Sequence, residues 1–245
     1  MIFNILSVFR ELIKPSLKYG VLSKAIKKNK IKVNIFSYSD YLNDGDRLDD
    51  KQFGGEPGMV IKYQNASRAI NAIKKSNPKT KVIFLTPKGK KLDNNLAKEM
   101  SKMGNISIIC GRYEGFDERI IDQYSDLEVS IGDYIVSGGE YPAVILMDSI
   151  SRMVKGVIGN EESVENDSLS NSLLKHPVYT RPAELKVGKV PKLITGGNHK
   201  KIKNFNRQES ILSTLKRRED LLETTELKID ERELLRKVKR GDIKS

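Results

Sequence analysis

The chain has 245 residues, of which 38% are hydrophobic and 31% are charged, and it carries a net charge of +12. This composition excludes a disordered chain and is typical of a soluble globular protein with one large domain, or one domain and a smaller companion. No apolar run approaches the length that spans a membrane, and the first residues lack the charge order and cleavage site of a signal peptide. We therefore expect a cytoplasmic protein with no membrane partner.

The positive charge is concentrated near the C-terminus. Residues 175–245 contain 19 Lys and Arg against 10 Asp and Glu, whereas the remaining 174 residues contain 25 against 22. Such an asymmetry indicates a polyanionic partner, which is usually nucleic acid. The alternative is a lysine-rich proteome that decorates every surface, although a uniform bias would not place the charge at one end.

The first 160 residues alternate β-branched apolar runs with amphipathic segments. A first strand, IFNILSVF, leads towards a helix, and four later runs predict further strands: IKVNIFSY, TKVIFLTP, NISIICG and LEVSIG. Between them, NASRAINAIKKSN and LDNNLAKEMSKMG place apolar residues at helical spacing. Strands and helices that alternate in this way predict an α/β fold with a parallel sheet.

Ligands bind such sheets at the carboxyl ends of the strands. Loops 85–93, 110–119 and 130–144 leave those ends, so we expect them to lie together. The third loop contains three glycines (132, 138 and 139), which suit either a sharp corner or a close approach of the backbone to a ligand. Cys110, the single cysteine, lies in an apolar run and is expected to be a buried thiol in a reducing compartment.

The later residues divide into a linker and a basic region. Residues 160–175 begin with a polar, acidic run that has little apolar periodicity, which predicts a flexible interdomain linker. HPVYTRPAEL contains two prolines and predicts an irregular connection, and the sequence from NHKKIKNFNRQES onward is helical by period. We therefore predict a ligand-binding domain at 1–159 and a small helical, nucleic-acid-binding domain at 176–245.

Several common chemistries are excluded by their missing motifs. The chain has no G-x-G-x-x-G after a strand, no phosphate-binding P-loop and no G-x-S-x-G elbow. Two histidines and one cysteine cannot form a Cys/His cluster, so no metal ligands are predicted. A small-molecule site made mainly of backbone groups remains.

Five blocks of the sequence resemble one known family: QFGGEPGMV, CGRYEGFDER, SIGDYIVSGGEYPAVILMDSISR, HPVYTRP and GNHKKIKNFNRQES. They are similar, in order, to signature blocks of the bacterial tRNA (guanine-N1)-methyltransferases, TrmD, of the SPOUT superfamily. The resemblance covers nearly the whole chain. One departure is Glu56, which stands where the family usually has a third glycine.

The resemblance implies a SPOUT-type parallel sheet with a deep trefoil knot, and S-adenosylmethionine bound within that knot. It also implies a homodimer, a tRNA substrate methylated at N1 of the guanosine just 3′ of the anticodon, and possible use of Mg²⁺. It places Asp167 as the general base and Arg152 as the residue that stabilises O6 of the guanine. The residues implied to bind S-adenosylmethionine are Leu85, Thr86, Pro87, Gly111, Tyr113, Glu114, Gly115, Ser130, Ile131, Gly132, Asp133, Tyr134, Ile135, Val136, Gly138, Gly139 and Pro142.

Each functional residue also has an ordinary interpretation. An Asp in a polar linker is usually solvated or caps a helix, and Arg152 could simply stabilise the C-terminus of a helix. Seven basic residues are candidates for phosphate contacts, although each alone could be only solvated: Lys200, Lys201, Lys203, Arg207, Lys216, Arg217 and Arg218. The alternative functions are another SPOUT RNA methyltransferase with a different target, and a non-catalytic RNA-binding protein of the same fold.

Overall fold

The structure is a computed structural model that describes residues 1–159, 167–170 and 172–242. The chain forms two compact units, Met1–Glu161 and Glu162–Ser245. Of the predicted linker, residues 160–166 and residue 171 lie outside the described residues.

The first unit is built on a five-stranded sheet with the order β2-β1-β6-β5-β7, and every neighbouring pair is parallel. The prediction of an α/β fold with a parallel sheet is confirmed. A separate antiparallel hairpin pairs β3 with β4. The strands are β1 Ile2–Ser7, β2 Lys32–Ser37, β3 Asp49–Lys51, β4 Met59–Ile61, β5 Lys81–Lys91, β6 Asn105–Ile109 and β7 Leu127–Ser130.

Helices cover both faces of this sheet, which explains why its central strands are continuous apolar runs. One face packs against α1 (Gly20–Lys27), α3 (Asn94–Ser101) and α5 (Glu140–Met153). The other face packs against α2 (Tyr63–Ser76) and α4 (Glu118–Tyr124). Short 3₁₀ turns at Arg10–Leu12, Lys14–Leu17 and Tyr38–Tyr41 join the elements near β1 and β2.

Local sequence signals fix where the helices begin. The Asp93 carboxylate accepts a hydrogen bond from the backbone N–H of Leu96 at 2.7 Å and caps α3. The Asp117 carboxylate caps α4 in the same way through the N–H of Arg119. The first strand leads to a helix as expected, although two 3₁₀ turns at residues 10–17 come between β1 and α1.

The structure corrects the prediction that residues 85–93 are a loop. Strand β5 extends to Lys91, with a break in its register between Leu85 and Lys90. After the break, Lys90 pairs with Val129 and Lys91 pairs with Ser130 of β7. The extra pairing is a long-range contact, and the glycine and lysines of this segment give no sign of it in the sequence.

The second unit is mainly helical, with α6 Lys192–Thr195, α7 His199–Arg217, α8 Ile229–Arg240 and a 3₁₀ turn at Glu219–Glu223. It also contains a two-stranded antiparallel pair, β8 Glu184–Leu185 and β9 Gly188–Lys189, which the sequence did not predict. Residues 176–183 form no helix or strand, so the prediction of an irregular connection is confirmed there.

A small apolar core and one ion pair hold the second unit together. Leu173, Ile211 and Leu235 are buried against each other. The Arg207 guanidinium on α7 donates from Nε to Glu231 Oε1 at 2.9 Å and from Nη2 to Glu231 Oε2 at 3.2 Å. Glu231 lies in the first turn of α8 and its side chain is 7% exposed, so this pair joins the two longest helices of the unit.

The ion pair predicts a pH-dependent stability for this unit. The hydrogen bond from Arg207 lowers the pKa of Glu231 below its usual value. A carboxyl whose folded pKa is lowered stabilises the folded state above its unfolded pKa, and that contribution disappears as the pH falls through the folded pKa. We expect Glu231→Gln to lower the free energy of unfolding at pH 7 by about 1 kcal/mol.

The measurement is urea unfolding of the wild type and the variant between pH 7 and pH 3. The difference between the two proteins should shrink as the pH falls below the unfolded pKa of Glu231, because the lowered folded pKa makes protonation favour the unfolded state. A difference that stays constant across this range would show that the carboxylate charge is not what stabilises the helix pair.

Candidate functional site

A cleft of about 280 Å³ opens in the first unit, where the ends of β5 and β7 meet the segment that follows β6. This is the carboxyl edge of the parallel sheet, the usual location for ligands in such folds. Three segments line the cleft: residues 85–88, 111–121 and 129–142. The three loops that the sequence predicted to converge therefore do so.

Sixteen of the seventeen residues implied to bind S-adenosylmethionine line this cleft. Asp133 is the exception: its carboxylate is exposed and pairs with Lys91 Nζ at 2.8 Å. The cleft also has lining residues outside that set of seventeen: Lys88, Arg112, Phe116, Glu118, Ile121, Val129 and Ser137. Lys88 Nζ lies 3.0 Å from Glu118 Oε2. The pattern of apolar residues in the sequence could not reveal this ion pair, because the two residues lie 30 positions apart.

Backbone hydrogen bonds hold the loop after β6 against the β3–β4 hairpin. The N–H of Glu114 donates to the carbonyl of Met59 at 2.9 Å, and the N–H of Ile61 donates to the carbonyl of Gly115 at 2.9 Å. Gly115 has φ of +104°, a conformation that glycine adopts readily. The hairpin tip at residues 52–58 carries an exposed Glu56 and lies next to this part of the cleft wall.

The glycines at 138 and 139 serve close packing within the protein. A Cβ at Gly138 would lie 2.3 Å from Arg112 Nε, and a Cβ at Gly139 would lie 2.6 Å from Cys110 Cα. The Gly139 N–H donates to the carbonyl of Gly111 at 2.9 Å. The sequence predicted a sharp corner or a ligand contact here. In the structure these glycines let two cleft-forming segments approach each other, and both also line the cleft.

A fully buried carboxylate connects three parts of the site. Glu140, in the first turn of α5, accepts hydrogen bonds at Oε1 from Ser7 Oγ (2.8 Å) and from the N–H of Phe9 (3.3 Å). Its Oε2 accepts from Arg112 Nε at 3.0 Å. Arg112 also donates from Nη1 to the carbonyl of Ser137 at 3.0 Å, and its guanidinium lies 4.7 Å from the centre of the Phe9 ring.

Two further buried groups lie beneath the cleft. Cys110 is fully buried, as predicted, and burial raises the pKa of its thiol well above the usual range. The Tyr38 hydroxyl donates to the Cys110 carbonyl at 3.2 Å, and burial also raises the pKa of Tyr38. Both groups are therefore neutral at physiological pH and act as packing elements rather than as nucleophiles.

Arg152 lies far from the cleft within its own chain. It occupies the last turn of α5, whose first residue, Glu140, directly follows the cleft-lining Gly139. Twelve residues of α-helix separate the two positions, which corresponds to about 18 Å along the axis. The helix therefore places Arg152 and the cleft at opposite ends of the first unit.

Asp167 belongs to the second unit. Its carboxylate lies 3.5 Å from Lys175 Nζ, and its carbonyl accepts a hydrogen bond from the N–H of Ser170 at 3.3 Å. Its side chain is 37% exposed. The local structure thus holds the carboxylate next to a cation while leaving part of it accessible to solvent.

The basic residues of the second unit are not equivalent. Arg207 is held by Glu231, and Arg218 pairs with Asp220 at 2.7 Å, so both guanidinium groups are used inside the protein. The other five candidates for phosphate contacts are exposed: Lys200, Lys201, Lys203, Lys216 and Arg217.

The described residues contain neither a metal-binding cluster nor a membrane-spanning helix. In residues 1–159, 167–170 and 172–242, no three His, Cys, Asp or Glu side chains are grouped so that they could hold a metal ion. Within the same parts of the chain, no helix is both long enough and apolar enough to cross a bilayer.

Comparison with known proteins gives one consistent result. The family described as tRNA (Guanine-1)-methyltransferase TrmD matches residues 1–224. A tRNA (guanine-N(1)-)-methyltransferase of Hahella chejuensis is 42% identical over 98% of this chain and 94% of its own length. The enzyme of the same name from Caldicellulosiruptor saccharolyticus is 45% identical over 96% of this chain and 96% of its own length. The one from Thermosipho africanus is also 45% identical, over 90% of this chain and 89% of its own length. A match of this extent means that the chain belongs to the tRNA (guanine-N1)-methyltransferase family, TrmD.

Proposed function

We propose that this enzyme transfers a methyl group from S-adenosylmethionine to N1 of the guanosine immediately 3′ of the anticodon in tRNA. The observation that carries the proposal is the cleft at the carboxyl edge of the sheet, which is assembled from three segments, two of which fall largely within blocks that resemble the family. A tRNA substrate is also consistent with the predicted cytoplasmic location.

The cleft has the chemical character that a bent nucleoside sulfonium requires. Apolar side chains, among them Leu85, Ile135 and Pro142, could enclose the adenine, and the many backbone groups of residues 111–115 and 130–139 could hydrogen-bond to its edges. Glu114 adds a carboxylate that favours a positive charge nearby. When bound, S-adenosylmethionine supplies an electrophilic methyl group.

A trefoil knot is the second part of the proposal, and the close backbone contact between β5 and β7 supports it. The N–H of Leu92 donates to the carbonyl of Ser130 at 2.7 Å, just after the register break in β5. A Cβ at Gly89 would lie 2.4 Å from the backbone N of Val129. The backbone of β5 and the backbone of β7 are thus in direct contact where the chain leaves β7 for the cleft, a close approach that is compatible with a threaded chain.

The reaction needs a base and a partner for developing negative charge. Guanine N1 carries a proton at neutral pH, and its removal builds charge on O6. We assign proton removal to the Asp167 carboxylate and support of O6 to Arg152, whose guanidinium stays charged and offers several donors. Both residues stand in the positions that the family resemblance implies.

The position of Arg152 favours a homodimer with composite sites. An arginine at the far end of α5, about 18 Å along the axis from Glu140, cannot reach a base held at the cleft of its own chain. Arg152 shares a helix face with Tyr141 and Ile145, which are 56% and 43% exposed. We infer that this apolar face packs against a second copy and that Arg152 of one copy serves the cleft of the other.

Binding of tRNA is assigned mainly to the second unit. Its five exposed basic residues on α7 could contact phosphates, which positions RNA without reading its sequence. The magnesium that the resemblance implies has no cluster of three ligands among the described residues, so no step of this mechanism depends on it.

We expect Glu140→Gln to weaken binding of S-adenosylmethionine about tenfold, because an amide N–H would face donors that now point at a carboxylate. Calorimetry with the donor measures this effect. Asp148→Asn, on the same helix but outside the cleft lining, is the control and should bind normally. Equal affinities for wild type and Glu140→Gln would mean that the buried network does not shape the donor site.

We expect Asp167→Asn to slow methylation about 100-fold or more in single-turnover assays with saturating tRNA, because an amide cannot accept the N1 proton. Binding of S-adenosylmethionine should persist. Lys175→Gln breaks the same ion pair but keeps the carboxylate, so it should retain most of the rate. The assay uses a labelled methyl donor and maps the modified base, and a rate for Asp167→Asn within about threefold of wild type would remove this residue from the mechanism.

The composite site predicts complementation between two weak variants. The Arg152→Ala variant keeps an intact cleft, and the Glu140→Gln variant keeps an intact Arg152. If the arginine acts in trans, a dimer of one copy of each variant contains one complete site, formed by the cleft of the first and the arginine of the second. At a donor concentration that leaves Glu140→Gln mostly empty, remixing the two variants should restore methylation to about a quarter of the wild-type level, since half of the dimers are mixed and each has one good site. Activity that never exceeds the mean of the two parents would exclude action in trans.

A further inference from the structure

One stretch of the first unit is basic without any acidic residue. Residues 12–39 contain seven lysines and no Asp or Glu. Four of these lysines lie on α1 and the turn that follows it, namely Lys24, Lys27, Lys28 and Lys30, and all four are exposed. Lys24, Lys27 and Lys28 are spaced three and four residues apart and so share one helix face. We call these four residues the α1 lysine cluster.

The cluster has no anionic partner among the residues that the structure describes. In the described parts of the chain, none of its four ammonium groups forms an ion pair, whereas the nearby Lys14 pairs with Glu11. Cations near a helix C-terminus interact favourably with the helix dipole, but that effect is small and fades within the last turn. It accounts for Lys27 better than for a set of four, which instead creates a local positive field.

The cluster lies beside the end of α5 that carries Arg152. Helix α1 packs on the same face of the sheet as α5. The Lys30 side chain lies over Gly156, since a Cβ at that glycine would be 3.2 Å from Lys30 Nζ. Gly156 follows Arg152 by four residues. The cluster and Arg152 therefore occupy the same end of the first unit, away from the cleft of their own chain.

We propose that the α1 lysine cluster is a second phosphate-binding surface for tRNA, separate from the basic region of the second unit. The inference rests on the proposed function: if Arg152 serves the cleft of the second copy, the cluster borders that composite site. When a guanosine of the RNA is bound at the composite site, the phosphates on either side of it would lie close to the four ammonium groups of the cluster. If two copies of the chain placed their α1 lysine clusters opposite each other across a two-fold axis, the like charges would repel. The surface therefore suits a polyanion better than another copy of the chain.

The test compares two double variants of the full-length protein. Lys24→Gln/Lys28→Gln removes two charges from the cluster and keeps good helix formers. Lys75→Gln/Lys79→Gln is the matched control, because both residues are exposed and lie at the end of α2, on the opposite face of the sheet. The affinity for a tRNA transcript is measured by fluorescence anisotropy at several KCl concentrations.

Each lost phosphate contact should reduce the slope of log K against log salt by about 1, so the cluster variant should lose about 2 from the slope. Its affinity at low salt should fall about tenfold, and the control should behave as wild type. Both variants should bind S-adenosylmethionine normally, because no lysine of the cluster lines the cleft.

An unchanged slope in the cluster variant, with normal methylation by the wild type, would overturn this inference and leave the proposed function intact. An equal loss in the control would also overturn it, because the effect would then be one of net charge. If the wild type neither binds nor methylates tRNA, both proposals fail. Sedimentation with anionic phospholipid vesicles gives the last comparison: vesicle binding that depends on the cluster, with tRNA binding unaffected, would assign the surface to a membrane instead.

Discussion

The buried carboxylate of Glu140 is the interaction on which the shape of the cleft depends. A carboxylate out of contact with water is costly unless its oxygens receive hydrogen bonds. Here the donors come from the end of β1, through Ser7 and Phe9, and from the loop after β6, through Arg112. Both segments must therefore be in place for the first turn of α5 to be buried. The close packing at Gly138 follows, because the Arg112 side chain occupies the space that a Cβ would need.

Helix α5 then fixes how the site can be completed. Its N-terminus is anchored at the cleft by Glu140, and its 14 residues carry the chain to the opposite end of the unit. A straight helix cannot return, so a side chain in its last turn cannot reach the cleft of its own chain. The exposed Tyr141 and Ile145 leave this helix with an apolar face that monomeric proteins usually cover. The same rigid element that shapes one cleft thus favours assembly with a second copy.

The sequence predicted the sheet well and the site only in outline. Apolar periodicity identifies the five parallel strands, because strands buried on both faces are continuous β-branched runs. It cannot report that residues 90–91 pair with β7, since that pairing depends on a distant strand. The glycines at 138 and 139 do signal a close approach, but a missing Cβ does not say what approaches, and here it is Arg112 and Cys110.

Glu140 and Asp167 illustrate two different limits. A glutamate at the start of a helix is normally exposed, so nothing local predicts that Glu140 is buried among donors from residues more than 25 positions away. Asp167 has an ordinary setting beside Lys175, and only the resemblance to a family singles it out. The burial of Glu140 and its hydrogen bonds follow once the fold is known. The catalytic role of a residue such as Asp167 depends in addition on which molecule the site binds.

Charge counting shows a related limit. The net charge of residues 175–245 points to RNA, yet Arg207 and Arg218 are already used by Glu231 and Asp220. An arginine that is paired inside the protein adds to the count without being available to phosphate. Conversely, the first 174 residues are nearly neutral in total, but their acids and bases are unevenly placed, and α1 lies in a stretch with none of the acids. The potential that RNA meets is set by charges within about one Debye length, roughly 8–10 Å, so local absence of acids is a better guide to a binding surface than net charge.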